Sequence, residues 1–284
     1  MGRRARVRGG VASAAAVVIA VLLALAAGPL SAFAGTGGAV HVLDDQGPGG
    51  TGTSLYEDDT PPTFPPSTSL ADAAKWVGAA LTVRSDRLEK LAGAISSSKT
   101  LTSGARATLS SLVGTDATGI GTLASEVSGA KSLQALEGIA ASMIDDYRVF
   151  SVVDPVVEVS LSLYDQLASA AYFRGIEAAI EASIATEGPG QSTAAAQALY
   201  RDLLGQIGQV TSSDPPAAQA VLALQPSSYP GSGTVIASAR ATVASSGTDL
   251  ATARQDVQKI VQLLASPGLN SQRRLRLRGF SPHA

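Results

Sequence analysis

Between Ser69 and Ala265 apolar residues recur in alternating steps of three and four, and this periodicity constrains the fold more than any other feature of the chain. The first stripe takes Leu70, Ala74, Val77, Leu81, Leu88, Leu91 and Ile95, and one charge, Arg84, stands in its phase. Such a repeat collects apolar side chains on one face of a helix, where another helix must cover them. Few runs alternate with the period of two that a half-buried strand requires. The pattern predicts an all-α chain: an elongated antiparallel helical bundle with coiled-coil-like seams over residues 69–266.

The same residues set the helix boundaries. Ser69, with Asp72 three positions on, supplies an N-cap and a first-turn carboxylate for a first helix of about 27 residues, roughly 40 Å long. A second helix is expected from about Thr102 to Ser128 on Ala105, Leu109, Leu112, Ile120, Leu123 and Val127, with a local break among the glycines between Gly114 and Gly121. A third stripe runs from Leu133 through Leu136, Ala140, Met143, Tyr147 and Phe150 to Val157, Leu161, Tyr164, Ala168 and Ala171. Its phase continues across Pro155, which predicts either one long helix kinked at Pro155 or two helices joined almost end to end. A helix from Ser192 to Thr211, a short one opened by Asp214-Pro215, a loop from Pro226 to Gly233 and a last helix from Thr234 to about Ala265 complete the series.

Ahead of the helices, Arg3, Arg4, Arg6 and Arg8 precede an uncharged Ala-, Val- and Leu-rich stretch from Val11 to Leu30, which closes on Ala32-Phe33-Ala34. Basic, then apolar, then small is the order of an export leader, here residues 1–34, with cleavage after Ala34. The alternative is an uncleaved transmembrane helix over about residues 11–30. Both place the remainder outside the cytoplasm, secreted or anchored. Residues 35–68, rich in Gly, Thr and Pro, bury too little apolar surface to offset chain entropy and are expected to form a disordered tether.

The chain carries 21 basic and 23 acidic side chains; loss of the four leader arginines leaves 17 against 23, a net charge of about −6. That balance argues against a nucleic-acid partner. Basic charge concentrates in the tail, residues 267–284, where Arg273, Arg274, Arg276 and Arg278 offer either a solubilising disordered end or a contact with anionic lipid or wall polymer. Cysteine is absent, which excludes a disulfide scaffold and thiolate-ligated metal.

The run Asp145-Asp146-Tyr147-Arg148-Val149-Phe150, then Asp154-Pro155, and the Ser228-Tyr229-Pro230 loop before the last helix resemble uncharacterised exported helical-bundle proteins of high-GC Gram-positive bacteria. The resemblance covers about Ser69 to Ala265 and implies no activity, cofactor or partner.

His41 and His283, the two histidines, both fall outside the predicted bundle, so a histidine-based triad there is excluded. Two Ser-x-x-Lys spacings, Ser96 to Lys99 and Ser128 to Lys131, lack the Ser-Asp-Asn and Lys-Thr-Gly elements that penicillin-recognising enzymes need. Asp145 and Arg148 form a surface pair three residues apart, and Glu177 and Glu181 a solvated face without the Glu-x-x-His of a diiron bundle. Neither a cofactor nor a metal is expected. Arg84 and Asp154 both stand in stripe phase. Either they form a buried ion pair beside Pro155, or Asp154 caps a helix starting there while Arg84 extends to solvent. The functional expectation is a non-catalytic interaction or spacer protein at the cell envelope, engaging an unknown protein or envelope component. The alternative is a binder of a small apolar ligand between helices near Pro155; an enzyme is the third reading.

Overall fold

The computed structural model describes residues 61–187 and 189–265. The leader, most of the tether (35–60) and the basic tail with Arg273, Arg274, Arg276 and Arg278 lie outside the described residues.

Six α-helices and no strand occur among the described residues: α1 (Leu70–Ser97), α2 (Ser103–Val127), α3 (Leu133–Asp145), α4 (Asp154–Thr186), α5 (Gln191–Leu222) and α6 (Ser232–Ala265). A π-helical turn at Val149–Val153 precedes α4, and a 3-10 turn at Pro226–Ser228 precedes α6. The chain is an all-α helical bundle. Hydroxyl caps set the first three starts: Ser69 Oγ accepts from Asp72 N at 3.1 Å, Thr102 Oγ1 from Ala105 N at 3.2 Å and Ser132 Oγ from Ala135 N at 3.1 Å. Each such cap contributes about 1 kcal/mol. At the hairpin between α1 and α2, the Arg106 guanidinium donates to the carbonyls of Ile95, Ser96 and Ser98, satisfying acceptors that the end of α1 leaves open.

The described residues divide into two compact units. In the larger, residues 61–168 and 211–247, α1, α2, α3 and the π turn bury a core that includes Leu81, Leu88, Leu109, Ile120, Leu136, Met143 and Val153. In the smaller, residues 169–187, 189–210 and 248–265, three helical stretches enclose Phe173, Ile180, Leu203, Ile207, Val257 and Ile260.

Three expectations are corrected. Residues 61–68 are not tether: Pro62 is buried, and Phe64 sets its ring edge-on to Trp76 at 5.9 Å while its amide donates to Glu137 Oε1 at 2.7 Å. Trp76 and Ala73, which the first stripe omitted, are buried with it, and Leu70, which the stripe included, is exposed. The buried face of α1 is thus broader than a two-position seam, as a helix covered on several sides requires.

The break in the third stripe falls before Pro155. Arg148 takes a left-handed conformation with φ 45° and ends α3, and the π turn follows, with Val153 N donating to the Arg148 carbonyl at 3.2 Å. A π turn inserts one residue into the helical register. Beyond it Val157 is buried as the stripe extrapolated across Pro155 requires, but Leu161, Tyr164 and Ala168 are only half-buried and Ala171 is exposed, while Ser160, Leu163, Ala170 and Phe173 face inward. Pro155 itself sits in the first turn of α4, where its missing N–H costs nothing.

Asp214-Pro215 opens no new helix, because α5 runs through Pro215 and Pro216. Leu203, Ile207, Val210, Asp214, Ala218 and Val221 keep one buried face in steps of three and four, and that burial outweighs the loss of two backbone donors. Asp214 lies fully buried on this face, its Oδ1 accepting from Ser246 Oγ at 2.5 Å and Ser213 Oγ at 3.0 Å.

Candidate functional site

Segments 145–155 and 228–230 meet in the larger unit. The Arg148 guanidinium lies 4.0 Å from the centre of the Tyr229 ring, a cation–π contact, and its Nη2 donates to Asp145 Oδ1 at 2.7 Å. Both contacts hold a residue whose backbone is left-handed, a conformation costly for any side chain but glycine. The Tyr229-Pro230 bond is cis.

One residue earlier, the Tyr147 ring lies against the backbone of α2 at Gly119. A Cβ at position 119 would stand 2.1 Å from Tyr147 Cε1, so only glycine leaves room for the ring. The glycines expected to break α2 leave it continuous, and one of them is the seat of this tyrosine. Burial holds the Tyr147 phenol above its ordinary value of 10.0, and the carboxylates of Asp146, Asp116 and Glu126 push it the same way.

Tyr147 forms one wall of an open cleft of about 660 Å³. Its floor is α2, with Thr108, Ser111, Thr115 and the buried Asp116; the opposite wall is Gln225 to Ser227 of the 3-10 turn, with Asp146 at the edge. Gln225 N donates to Ser228 Oγ at 3.1 Å, which fixes that turn. Asp116 was not singled out in the sequence, although it continues the phase of Leu109, Leu112, Ile120 and Leu123; the signal was there in the spacing.

Arg84 and Asp154 are not partners. Asp154 pairs with Arg87, one turn farther along α1, and the same Arg87 Nη2 donates to Glu158 Oε1 at 2.5 Å. The reason is geometric: with the chain reset by the left-handed residue and the π turn, Asp154 opens α4 beside Arg87. Asp154 is only partly buried, and desolvation raises its carboxyl above the ordinary value near 3.8 despite the opposing pull of Arg87. Arg87 is held correspondingly more firmly protonated by its hydrogen bond to Asp154. Arg84 is desolvated, as its stripe phase requires: it is 1% exposed, lies 5.0 Å over the Phe150 ring and donates from Nη1 to the Ala80 carbonyl at 3.3 Å.

The remaining candidates carry no site. Ser96 Oγ donates to the Gly93 carbonyl at 2.9 Å and Ser128 Oγ to the Ser125 carbonyl at 3.1 Å, each serving its own helix end. Glu177 and Glu181 lie near Tyr200, whose phenol burial and these two charges raise. Among the described residues no group of three or more His, Cys, Asp or Glu is placed to hold a metal ion, and no helix is long and apolar enough to cross a membrane. The chain matches no family model, no curated protein and no solved structure, so the functional reading rests on the chemistry of the cleft.

Proposed function

We propose that this is an exported, non-catalytic interaction protein of the cell envelope that engages its partner through the cleft beside Tyr147. The observation that carries the reading is local: Tyr147, seated on Gly119 and next in the chain to the left-handed Arg148, forms one wall of an open cleft with both polar and apolar lining. Backbone outliers of this kind cluster where a side chain must be held for a purpose. The leader pattern supports an extracytoplasmic setting, secreted or anchored through residues 11–30, and the tail arginines supply a means of contact with anionic lipid or wall polymer. A role without catalysis fits a bundle that has neither histidine nor cysteine to act as base or nucleophile.

A small apolar ligand near Pro155 has less support. Val152, Val153, Val156 and Val157 are fully buried there in the core cluster, and the cleft on the other side of the junction is walled by hydroxyls, an amide and carboxylates.

Capture from envelope extracts tests the proposal, with the exported protein and its Ser111→Arg variant as baits. Ser111 is exposed on α2, where arginine is a good helix former, so the long side chain fills the cleft without disturbing the core. The expected result is a component retained by the parent and lost by the variant at unchanged melting temperature. Equal retention by both would overturn the cleft as the point of contact.

A further inference from the structure

We propose that the cleft binds a short neutral saccharide, two sugar rings long; this deepens the recognition role proposed above and rests on it. The first support is the state of the hydroxyls on α2. Away from the cleft, Thr118 Oγ1, Thr122 Oγ1 and Ser125 Oγ each donate to the carbonyl four residues back, at 2.9, 3.0 and 3.0 Å. On the cleft side, among the described residues, Thr108, Ser111 and Thr115 make no such bond, and their donors and acceptors stay open to a ligand. Steps of three and four place them in one row, and the seven steps from Thr108 to Thr115 extend about 10 Å along the helix. That row matches the edge of two linked sugar rings.

The second support is the pairing of wall chemistries. A sugar presents hydroxyl edges, which donate and accept, and faces made of C–H bonds. The cleft offers acceptors in the exposed Asp146 carboxylate, a donor and an acceptor in the Gln225 amide, and flat apolar surface in the Tyr147 ring and Pro226. Its volume lies within the usual range for a small-molecule site. An anion would meet the Asp146 carboxylate and no basic side chain in the lining. An apolar ligand would take the Asp146 carboxylate and the Gln225 amide out of water with no hydrogen bond in return. Gly119 has a specific place in this arrangement, since it sets the depth at which the Tyr147 ring lies and hence the width of the slot.

The test is a titration of the isotope-labelled exported protein followed by amide chemical shifts. The probes are maltose, cellobiose, lactose and mannobiose, with spermidine as a cation and glucose 6-phosphate as an anion. At least one disaccharide is expected to give saturable shifts at Ser111, Thr115, Tyr147 and Ser227 with a Kd of about 1 mM, the range of a few hydrogen bonds on an open surface. Ser111→Arg should weaken it at least tenfold, and Gly119→Ala should weaken it while leaving the core resonances in place. Saturation by spermidine alone, no saturable shift at these amides with any disaccharide, or affinity unchanged in Ser111→Arg would each overturn the proposal. If the disaccharides fail while Ser111→Arg still loses the captured envelope component, the saccharide assignment falls and the recognition role stands. If capture survives in that variant, the role itself falls.

Discussion

The smaller unit is built from helical stretches around an apolar cluster, with Ser169, Ser183 and Asp256 buried beside it, whereas the larger holds a left-handed residue, a π turn, a buried arginine and the cleft. In the smaller, Leu203, Ile207, Val257 and Ile260 do what helical periodicity alone asks of them. In the larger, Arg148 leaves the ordinary backbone regions, and Gly119 makes room for Tyr147 at the cleft. Departures from local consistency concentrate where a protein holds something other than its own core, and here they mark the unit to which recognition is proposed.

Substitutions that probe the two interiors should differ in kind. Phe173→Ala in the smaller unit removes a fully buried ring and should cost about 4 kcal/mol in denaturant unfolding, with most of the loss recovered in Phe173→Leu. In the larger unit Arg84→Ala should cost about 3 kcal/mol, since it removes both a packed stem and the charge over Phe150. A cost below about 1 kcal/mol would mean that the larger core tolerates losing its arginine, and the contrast between the interiors would fade.

A smaller effect is expected at the start of α4. The side chains of Arg87 and Asp154 are 30% and 17% exposed, so solvent screens the pair, and a double-mutant cycle should give a coupling of about 1 kcal/mol. The Asp154 carboxyl is raised on folding, so it holds a proton more tightly folded than unfolded. Its contribution to stability is therefore full below the unfolded value near 3.8 and is lost as pH rises through the raised folded value. Asp154→Asn should remove that slope from the stability profile, and a profile unchanged by the substitution would refute the assignment.

The smallest effect on stability belongs to Gly119→Ala. Alanine's helix propensity offsets the displacement of a flexible ring, so the net change should stay within about 1 kcal/mol. The Tyr147 phenol, moved away from Asp116 and Asp146, should then titrate closer to its ordinary value of 10.0. An unchanged ultraviolet titration would show that the ring does not depend on this glycine.

Periodicity made the helices legible, and most fully in α6. There Ile236, Ala239, Ser246, Leu250, Ala253, Val257, Ile260 and Leu264 are all buried, with only Val243 of the expected stripe half-buried. The cap at Ser69 was equally plain, because a hydroxyl followed by an apolar repeat has one favourable use. What periodicity could not carry was a change of register. Nothing in Val149 to Val153 marks a π turn, so the stripe read across Pro155 left the buried face after Val157, and Asp154 was matched with Arg84 instead of Arg87. The cleft was illegible for a related reason. Gly119 looks like a helix breaker until Tyr147 is found against it, and the contact between Arg148 and Tyr229 joins segments 81 positions apart.

The most direct test sets one arginine in each region. Ser111→Arg fills the cleft of the larger unit, and Leu204→Arg places the same side chain at a 37% exposed position on α5 in the smaller. Quantitative capture of the envelope component should fall at least tenfold with Ser111→Arg and stay at the parent level with Leu204→Arg, both variants melting as the parent does. Loss of capture with Leu204→Arg and retention with Ser111→Arg would contradict the assignment of recognition to the larger unit.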